Sequence, residues 1–563
     1  MSIHLGESLG RSIERDAGTP AVTAPPSTSP PRGQGLVGLW SLVRFVLRRD
    51  RVRLGLWVVG LVVLMFFSAQ QVEALYGDPA ALAGYARTVV GNPALKLFAG
   101  PGYGFDAPTV GAVLVNETSL WMAIGCGLMS IFVVNRHTRA EEETERADLM
   151  RSLVVGRHAP TAAALVVAVL ANVVVAAASA AGTIALGFDA AGTIALCASF
   201  GAVGIAFAGV AAVAAQLVNT GRATLGLASG LLGLAFVVRG IGDISAAVLS
   251  WLTPFGWGIG VRAFAGERWW TLAGLAVASL ATAALAFDLS SRRNLGSGLL
   301  AERPGPPSAS PWTVRPAGLF LRLQRGSILG WVIGLAAMGV VYGSIGDDVE
   351  QMLADNPQLT DYLAQLGQAS VVDSYLATAV MMLALLGGGF AVASALRNRS
   401  EESAGFAESL LATPVSRWAF VADHLAVTVL GTVAVLAASG LGVGLGFAAV
   451  TADGSQIPRL VGSSLTMVPA VLVLVGVATV LFGWLPRFAL AAWGVYAAVV
   501  VVGIFGSVLG LSRGVRDLSP FERLPNVPAE PASWSAMAAL TALAVALMAF
   551  GAAGFRRRDL AAA

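Results

Sequence analysis

Apolar runs recur along the whole chain, near 54–72, 108–134, 160–187, 192–218, 223–239 and 270–288, then again near 327–345, 373–396, 419–450, 460–484, 488–511 and 533–554. Each is close to the ~20 residues that a helix needs to cross hydrocarbon, where every backbone hydrogen bond must be closed within the segment. The pattern predicts an all-α polytopic membrane protein of about twelve transmembrane helices, in two pseudo-twofold-related halves of six. It divides the chain into a tail at 1–39, a first transmembrane half at 40–290, a linker and entry segment at 291–326 and a second transmembrane half at 327–563. The tail sets Pro25, Pro26, Pro30 and Pro31 among Ser, Thr and Gly with no apolar core of the secretory-signal kind, and reads as disordered and cytosolic.

The halves also match in sequence. Arg139-Ala140-Glu141-Glu142 followed by Val155-Gly156-Arg157-His158-Ala159 recurs, at the same internal spacing, as Arg399-Ser400-Glu401-Glu402 and Val415-Ser416-Arg417-Trp418-Ala419. Leu252-Thr253-Pro254-Phe255 recurs as Leu518-Ser519-Pro520-Phe521, and Leu56-Trp57-Val58-Val59-Gly60-Leu61 as Gly330-Trp331-Val332-Ile333-Gly334-Leu335. Copies with the same number of spans on the same side imply a parallel duplication, with its axis along the membrane normal and a pathway on that axis.

Composition agrees: 56% of residues are hydrophobic and 12% charged, too little polar surface to wrap a soluble body of 563 residues. A formal charge of +3 implies no broad nucleic-acid surface. Arginine-rich connections at 44–53, 136–157, 292–325, 397–417 and 556–558 alternate with poorer or acidic ones, which places both termini in the cytoplasm. The clearest outside loop, 346–373, holds six acidic residues and no Lys or Arg. The connections after the fifth and eleventh spans break the alternation with Arg262, Arg268, Arg513, Arg516 and Arg523.

Between the second and third spans of each half lies a polar segment far longer than a turn between helices requires. At helical spacing Glu141, Glu145 and Asp148 share one face, with Arg146, Leu149, Met150 and Leu153 on another side; the second copy sets Glu401 and Glu408 apart from Phe406, Leu410 and Leu411, and Pro414 ends it. Clustered carboxylates are repelled by an anionic leaflet, so these amphipathic helices suit a protein groove better than lipid headgroups.

Twelve spans, the doubled Arg-x-Glu-Glu segment and the paired Pro-Phe elements resemble the permeases of ABC-2 type exporters, in particular the fused permeases called exporters of polyketide antibiotics. The resemblance covers the chain from about residue 40 and implies that 139–157 and 399–417 are helices coupling the permease to an ATPase. Arg139, Glu141, Glu142, Glu145, Leu149, Arg157, Arg399, Glu401, Glu402, Phe406, Leu410 and Arg417 are then the coupling contacts. It also implies short re-entrant or interfacial helices outside, at 241–268 and 513–532, and a cavity lined by the second and fifth spans of each half. There Trp121, Met122, Phe132, Phe236, Met381, Met382, Phe390 and Phe505 are available to a large apolar substrate.

The only lysine, Lys96, follows Gly91-Asn92-Pro93-Ala94-Leu95, which is no Walker A loop. The chain is therefore expected to be no enzyme and to hold no cofactor. ATP and Mg would be bound by a separate ATPase, as two copies forming a homodimer, with membrane lipid and a hydrophobic small molecule as the other partners and no nucleic acid. The expected place is a bacterial cytoplasmic membrane. Glu117 is the least expected residue of an apolar span and a candidate substrate contact. Arg239 with Asp243, and Asp423 with His424, read as charges that orient helices. Cys126 and Cys197, inside apolar runs, read as packing residues, and four scattered histidines make no metal or catalytic site. Two other readings stand: a proton-coupled secondary transporter of six plus six helices using Glu117, and a membrane enzyme, for which convergent acids, bases or metal ligands are lacking.

Overall fold

A computed structural model describes residues 34–91, 96, 99–143, 156–244, 247–293, 297–300, 308, 316–346, 371–505 and 512–558. Among these there is no strand, and eleven helical runs are long and apolar enough to cross a membrane. The protein is an all-α polytopic membrane protein.

The first half holds α1 (Leu39–Arg49), α2 (Arg51–Tyr76), α3 (Pro79–Gly91), α4 (Val110–His137) running on into α5 (Arg139–Glu143), α6 (Ala159–Ala185), α7 (Ala190–Leu217), α8 (Gly221–Ile244), the short α9 (Ala247–Trp251) and α10 (Pro254–Ile259), and α11 (Trp270–Arg292). The second holds α12 (Pro316–Ser344), α13 (Val371–Ser403), the short α14 (Phe406–Leu411), α15 (Arg417–Thr451), α16 (Gln456–Thr466) with α17 (Val468–Trp484), α18 (Ala491–Phe505), the short α19 (Arg513–Arg516) and α20 (Trp534–Arg557). The eleventh expected span, near 488–511, coincides with α18. Its 15 residues reach about 22 Å, short of the ~30 Å hydrocarbon thickness, and 506–511 lie outside the described residues. Residues 1–33 of the tail, 347–370 of the acidic loop, most of the linker, and 144–155, with Glu145 and Leu149, also lie outside them.

Four spans begin on side-chain caps, whereas Asp50 before α2 and Ser455 before α16 make no cap hydrogen bond. Thr109 accepts from Ala112 N, Asp189 from Gly192 N, Ser416 from Ala419 N and Ser533 from Ala536 N, each satisfying an orphan donor of the first turn. The run Val110–Glu143 is 34 residues, about 51 Å, so it outreaches the ~30 Å hydrocarbon and carries its last turns into the polar zone. Arg48, Arg49, Arg136, Arg157, Arg556 and Arg557 gather at one end of the bundle, here called the basic end.

In each half the fourth span is central, packing on the second, third and sixth. The buried apolar residues form clusters that stay within one half: one cluster lies wholly in the first, three wholly in the second. The Phe of each Pro-Phe element is buried in its own half, Phe255 against Phe207 and Phe236, and Phe521 among the residues around α17. Three of the arginines that break the charge alternation are engaged: Arg262 stacks on Tyr103 at 4.3 Å, Arg516 pairs with Glu522 at 2.6 Å and Arg523 donates to Asp517 O at 2.7 Å.

Close packing without water depends on small residues. Gly339 and Gly343 on α12 face Gly442 and Gly446 on α15, so that a Cβ on Gly442 would strike Ala336 O and one on Gly446 would strike Val340 O. Gly446→Leu is expected to force α12 and α15 apart, costing at least the ~1–3 kcal/mol typical of overpacking. A fall in the unfolding temperature of purified protein reads this out. Gly330→Leu, where a Cβ meets nothing within 4 Å, is expected to leave it unchanged.

Candidate functional site

The two Arg-x-Glu-Glu segments stand at the basic end, on the last turns of the second span of each half. Glu142 takes Arg293 by two hydrogen bonds, at 2.5 and 2.9 Å, and Arg139 at 2.6 Å. Glu402 takes Arg558 in the same way, at 2.6 and 2.8 Å, with Arg399 at 3.5 Å. Arg293 and Arg558 each follow the last turn of the sixth span of their half. Arg157 donates to Ser290 O and Arg293 O, both at 2.7 Å, and Arg417 to Arg556 O and Arg558 O at 3.2 and 2.5 Å. Cations on the last carbonyls of a helix satisfy its orphan acceptors and oppose its dipole. Both halves therefore carry the same clamp between the second, third and sixth spans.

The first glutamate of each pair is also turned inward, but differently. Glu141 accepts from Arg49 at 2.6 Å and lies 3.3 Å from His137 Nδ1, whose Nε2 is 2.6 Å from Asp50. Glu401 is shared by Arg397 at 3.1 Å and His424 Nε2 at 2.9 Å, with the His424 ring 3.6 Å from that of Phe320. His424 thus pairs with Glu401 and not with its neighbour Asp423. Of the expected coupling contacts, Arg139, Glu141, Glu401 and Glu402 are buried, and Glu142 is held by two arginines, because carboxylates surrounded by the arginines of their own half are turned toward them. Arg157 stays exposed, Arg399 and Arg417 are half-buried, and on α14 Phe406 is 64% exposed, Glu408 is exposed and Leu410 is half-buried. Gly405, in the left-handed conformation at φ 76°, turns the chain sharply between α13 and α14.

The expected cavity residues divide by face. On α4, Glu117, Trp121 and Phe132 lie on one uncovered stripe, while Met122 is 1% exposed inside the first core. On α13, Met381 and Met382 are half-buried, and Phe390 is packed against Trp331 within the second half. Phe236 is half-buried beneath Arg239, whose guanidinium sits 4.9 Å from the ring. The side chain of Phe505 lies outside the description. Met122 and Phe390 are thus core residues, because each helix must fill its own half with one of its two apolar faces.

Two cavities lie on the seam between the halves. At the basic end, about 880 Å³ is enclosed by Arg222 of the first half with Phe320, Arg397, Glu401, Phe406 and Trp493 of the second. At the opposite end, about 330 Å³ is enclosed by Tyr85, Asn116, Glu117 and Trp121 of the first half with Met338 and Tyr342 of the second. Glu117 accepts from the Tyr85 hydroxyl at 2.5 Å. Burial first, and the Glu117 carboxylate second, push the Tyr85 hydroxyl above its ordinary range, so it remains a donor. Among the described residues no group of three or more His, Cys, Asp or Glu could hold a metal ion, and Cys126 and Cys197 are buried and free.

Sequence reasoning missed Arg293 and Arg558 as clamp partners, although both sit just past a sixth span, where the same repeat comparison applies. It missed Asp50, Tyr85 and Tyr342 because their partners are distant in the chain and no local spacing marks them. Glu402→Ala is expected to cost about 3–5 kcal/mol of stability by stranding Arg558 in a nearly closed site. Replacing both partners by leucine is expected to recover most of that loss. Thermal unfolding of the single and double variants measures the coupling.

The family model described as "Multidrug efflux system permease Rv1217c, C-terminal domain" matches residues 314–556. A curated relative from Mycobacterium tuberculosis (strain ATCC 25618 / H37Rv), named multidrug efflux system permease protein Rv1217c, is 39% identical over 539 residues, covering 94% of this chain and 97% of the relative. With nearly full-length similarity and a multispan helical fold beneath it, the chain belongs to the family of multidrug efflux system permeases.

Proposed function

We propose that this chain is the membrane-spanning subunit of an ATP-driven exporter that carries hydrophobic compounds, antibiotics, drugs or lipids, out of a bacterial cell by alternating access. The observation that carries the reading is the seam: each half has its own apolar core, and cavities lie between the halves at both ends. Two bodies with separate cores can rock against each other without opening either core, which is the motion alternating access requires. The recurrent clamp supports the reading of a duplicated chain. The name of the relative supports efflux.

The basic end faces the cytoplasm in this proposal, as excess arginine on retained loops requires. There two copies of a separate ATPase, which bind ATP and Mg, grip the chain through α14 and the corresponding segment of the first half. Phe406 is the anchor on α14, an exposed aromatic ring beside the exposed Glu408, and Trp418, 42% exposed, extends the same outward surface. The carboxylates of the Arg-x-Glu-Glu segments act one step back. They brace the second span to the sixth, so that a pull on α14 moves the whole half. Closure of the ATPase pair draws the basic ends together, shrinks the cavity there and opens the opposite end. The second reading, a proton-driven transporter, is favoured by one observation, the Glu117 carboxylate on the seam beside Tyr85.

Phe406→Asp combined with Trp418→Asp is expected to reduce co-purification of the proposed ATPase partner by tenfold or more, since aromatic anchors at interfaces carry about 2 kcal/mol or more each. Membrane insertion is expected to remain intact, because neither ring is part of a core. Undiminished complex formation, or efflux by the purified chain under a pH gradient with no nucleotide, sinks the ATP-driven reading.

A further inference from the structure

Glu117 has no basic residue paired to it among the described residues. Its one described hydrogen bond comes from Tyr85, a neutral donor. Glu117 lines a cavity of about 330 Å³ together with Tyr85, Trp121, Tyr342 and Met338. Tyr85 is anchored from behind, its ring 4.9 Å from that of Tyr76 and 5.8 Å from that of Phe105, so the wall is prebuilt. Trp121 is 45% exposed, with a large part of the indole left open.

A carboxylate in a cavity lined by aromatic side chains attracts positive charge, and the attraction grows as water is excluded. A divalent metal ion is a poor fit, because one carboxylate and the Asn116 amide fall short of the six or more oxygens such ions take. An anion would face repulsion, and a neutral guest would leave the carboxylate unpaired against an apolar body. We propose that this seam cavity binds a lipophilic organic monocation, with Glu117 as its counter-ion and Trp121, Tyr342 and Tyr85 as ring walls. The proposal rests on the exporter reading and adds to it the charge class of a substrate. One such ion binds per chain, because the corresponding place in the second half is Ala377, buried and apolar. The cavity draws its walls from both halves, so rocking at the seam pulls Tyr342 away from Glu117 and Trp121 and weakens the cage when the opposite end opens.

The test uses the purified full chain in lipid nanodiscs and two near-isosteric probes of opposite charge, tetraphenylphosphonium and tetraphenylborate. Saturable tetraphenylphosphonium binding is expected, weakened about tenfold or more by Glu117→Gln, which keeps the shape and the Tyr85 hydrogen bond, and about fivefold by Trp121→Leu. Glu117→Asp, which keeps the charge, is expected to restore most of the affinity, and tetraphenylborate binding is expected to be no weaker in Glu117→Gln than in the native chain. Equal affinity of native chain and Glu117→Gln for the cation, or tighter native binding of the anion, overturns the proposal. Because binding needs no ATPase, the two readings fail separately. Nucleotide-driven efflux with cation affinity indifferent to Glu117 removes the cage alone; Glu117-dependent binding without nucleotide-driven efflux removes the exporter reading alone.

Discussion

The bidentate grip of Glu142 on Arg293 and of Glu402 on Arg558 ties the end of the second span to the end of the sixth in each half. A carboxylate and a guanidinium are held together where little water reaches them, with side chains 14% and 5% exposed in one pair and 2% and 15% in the other. Desolvating both ions offsets much of their attraction, so the clamp adds less net stability than its geometry suggests. Losing one partner is nonetheless costly. Its main effect is to fix geometry. With Arg157 and Arg417 closing over the last carbonyls of the same sixth spans, three helix ends are locked in register outside the hydrocarbon. Farther from these ends the second and third spans are joined by neutral hydrogen bonds, Asn172 to Ser130 at 2.8 Å and Ser394 with Thr428 at 2.8 Å, and the first and third spans of the second half meet through the glycines of α12 and α15.

Each half has its own buried clusters and its own clamp, and the seam runs between them. On α4 Glu117, Trp121 and Phe132 lie exposed on one stripe, and on α13 Leu386 and Ala393 do, beside the half-buried Met382.

The spans were legible because a run long enough to cross hydrocarbon is a composition signal that needs no knowledge of neighbours. The eleventh expected run is the one that came out short among the described residues, at α18, and a window of hydropathy carries no information about where a helix stops. Which side of each helix faces inward was much less legible. In water a polar face marks the outside, but in lipid the outer and inner faces are both apolar, so the helical period carries almost no contrast. Met122 and Phe390 were offered as cavity residues on chemistry alone and proved to be core, while Trp121, one position from Met122, lies on the open stripe. The repeated glutamates had the opposite problem. Their polarity was plain, but the arginines that claim them lie a hundred and more residues along the chain, so the sequence alone left them looking available to a partner.

The matching features of the two halves and the differing ones fall in different places. Glu142 and Glu402, Arg157 and Arg417, and the arginines that follow each sixth span recur with the same geometry, because a two-bond grip accepts only a planar carboxylate and a planar guanidinium. Along the seam that demand is absent. Glu117 faces Tyr342 across it while Ala377 occupies the corresponding place, and His137 bridges Asp50 and Glu141 where Arg397 stands in the other half. At the end opposite the clamps the seam lining thus carries a carboxylate on one side only. A pathway along a twofold axis would treat the two orientations of a guest alike; a single carboxylate on one side removes that equivalence, and a guest carrying one charge then has one way to sit.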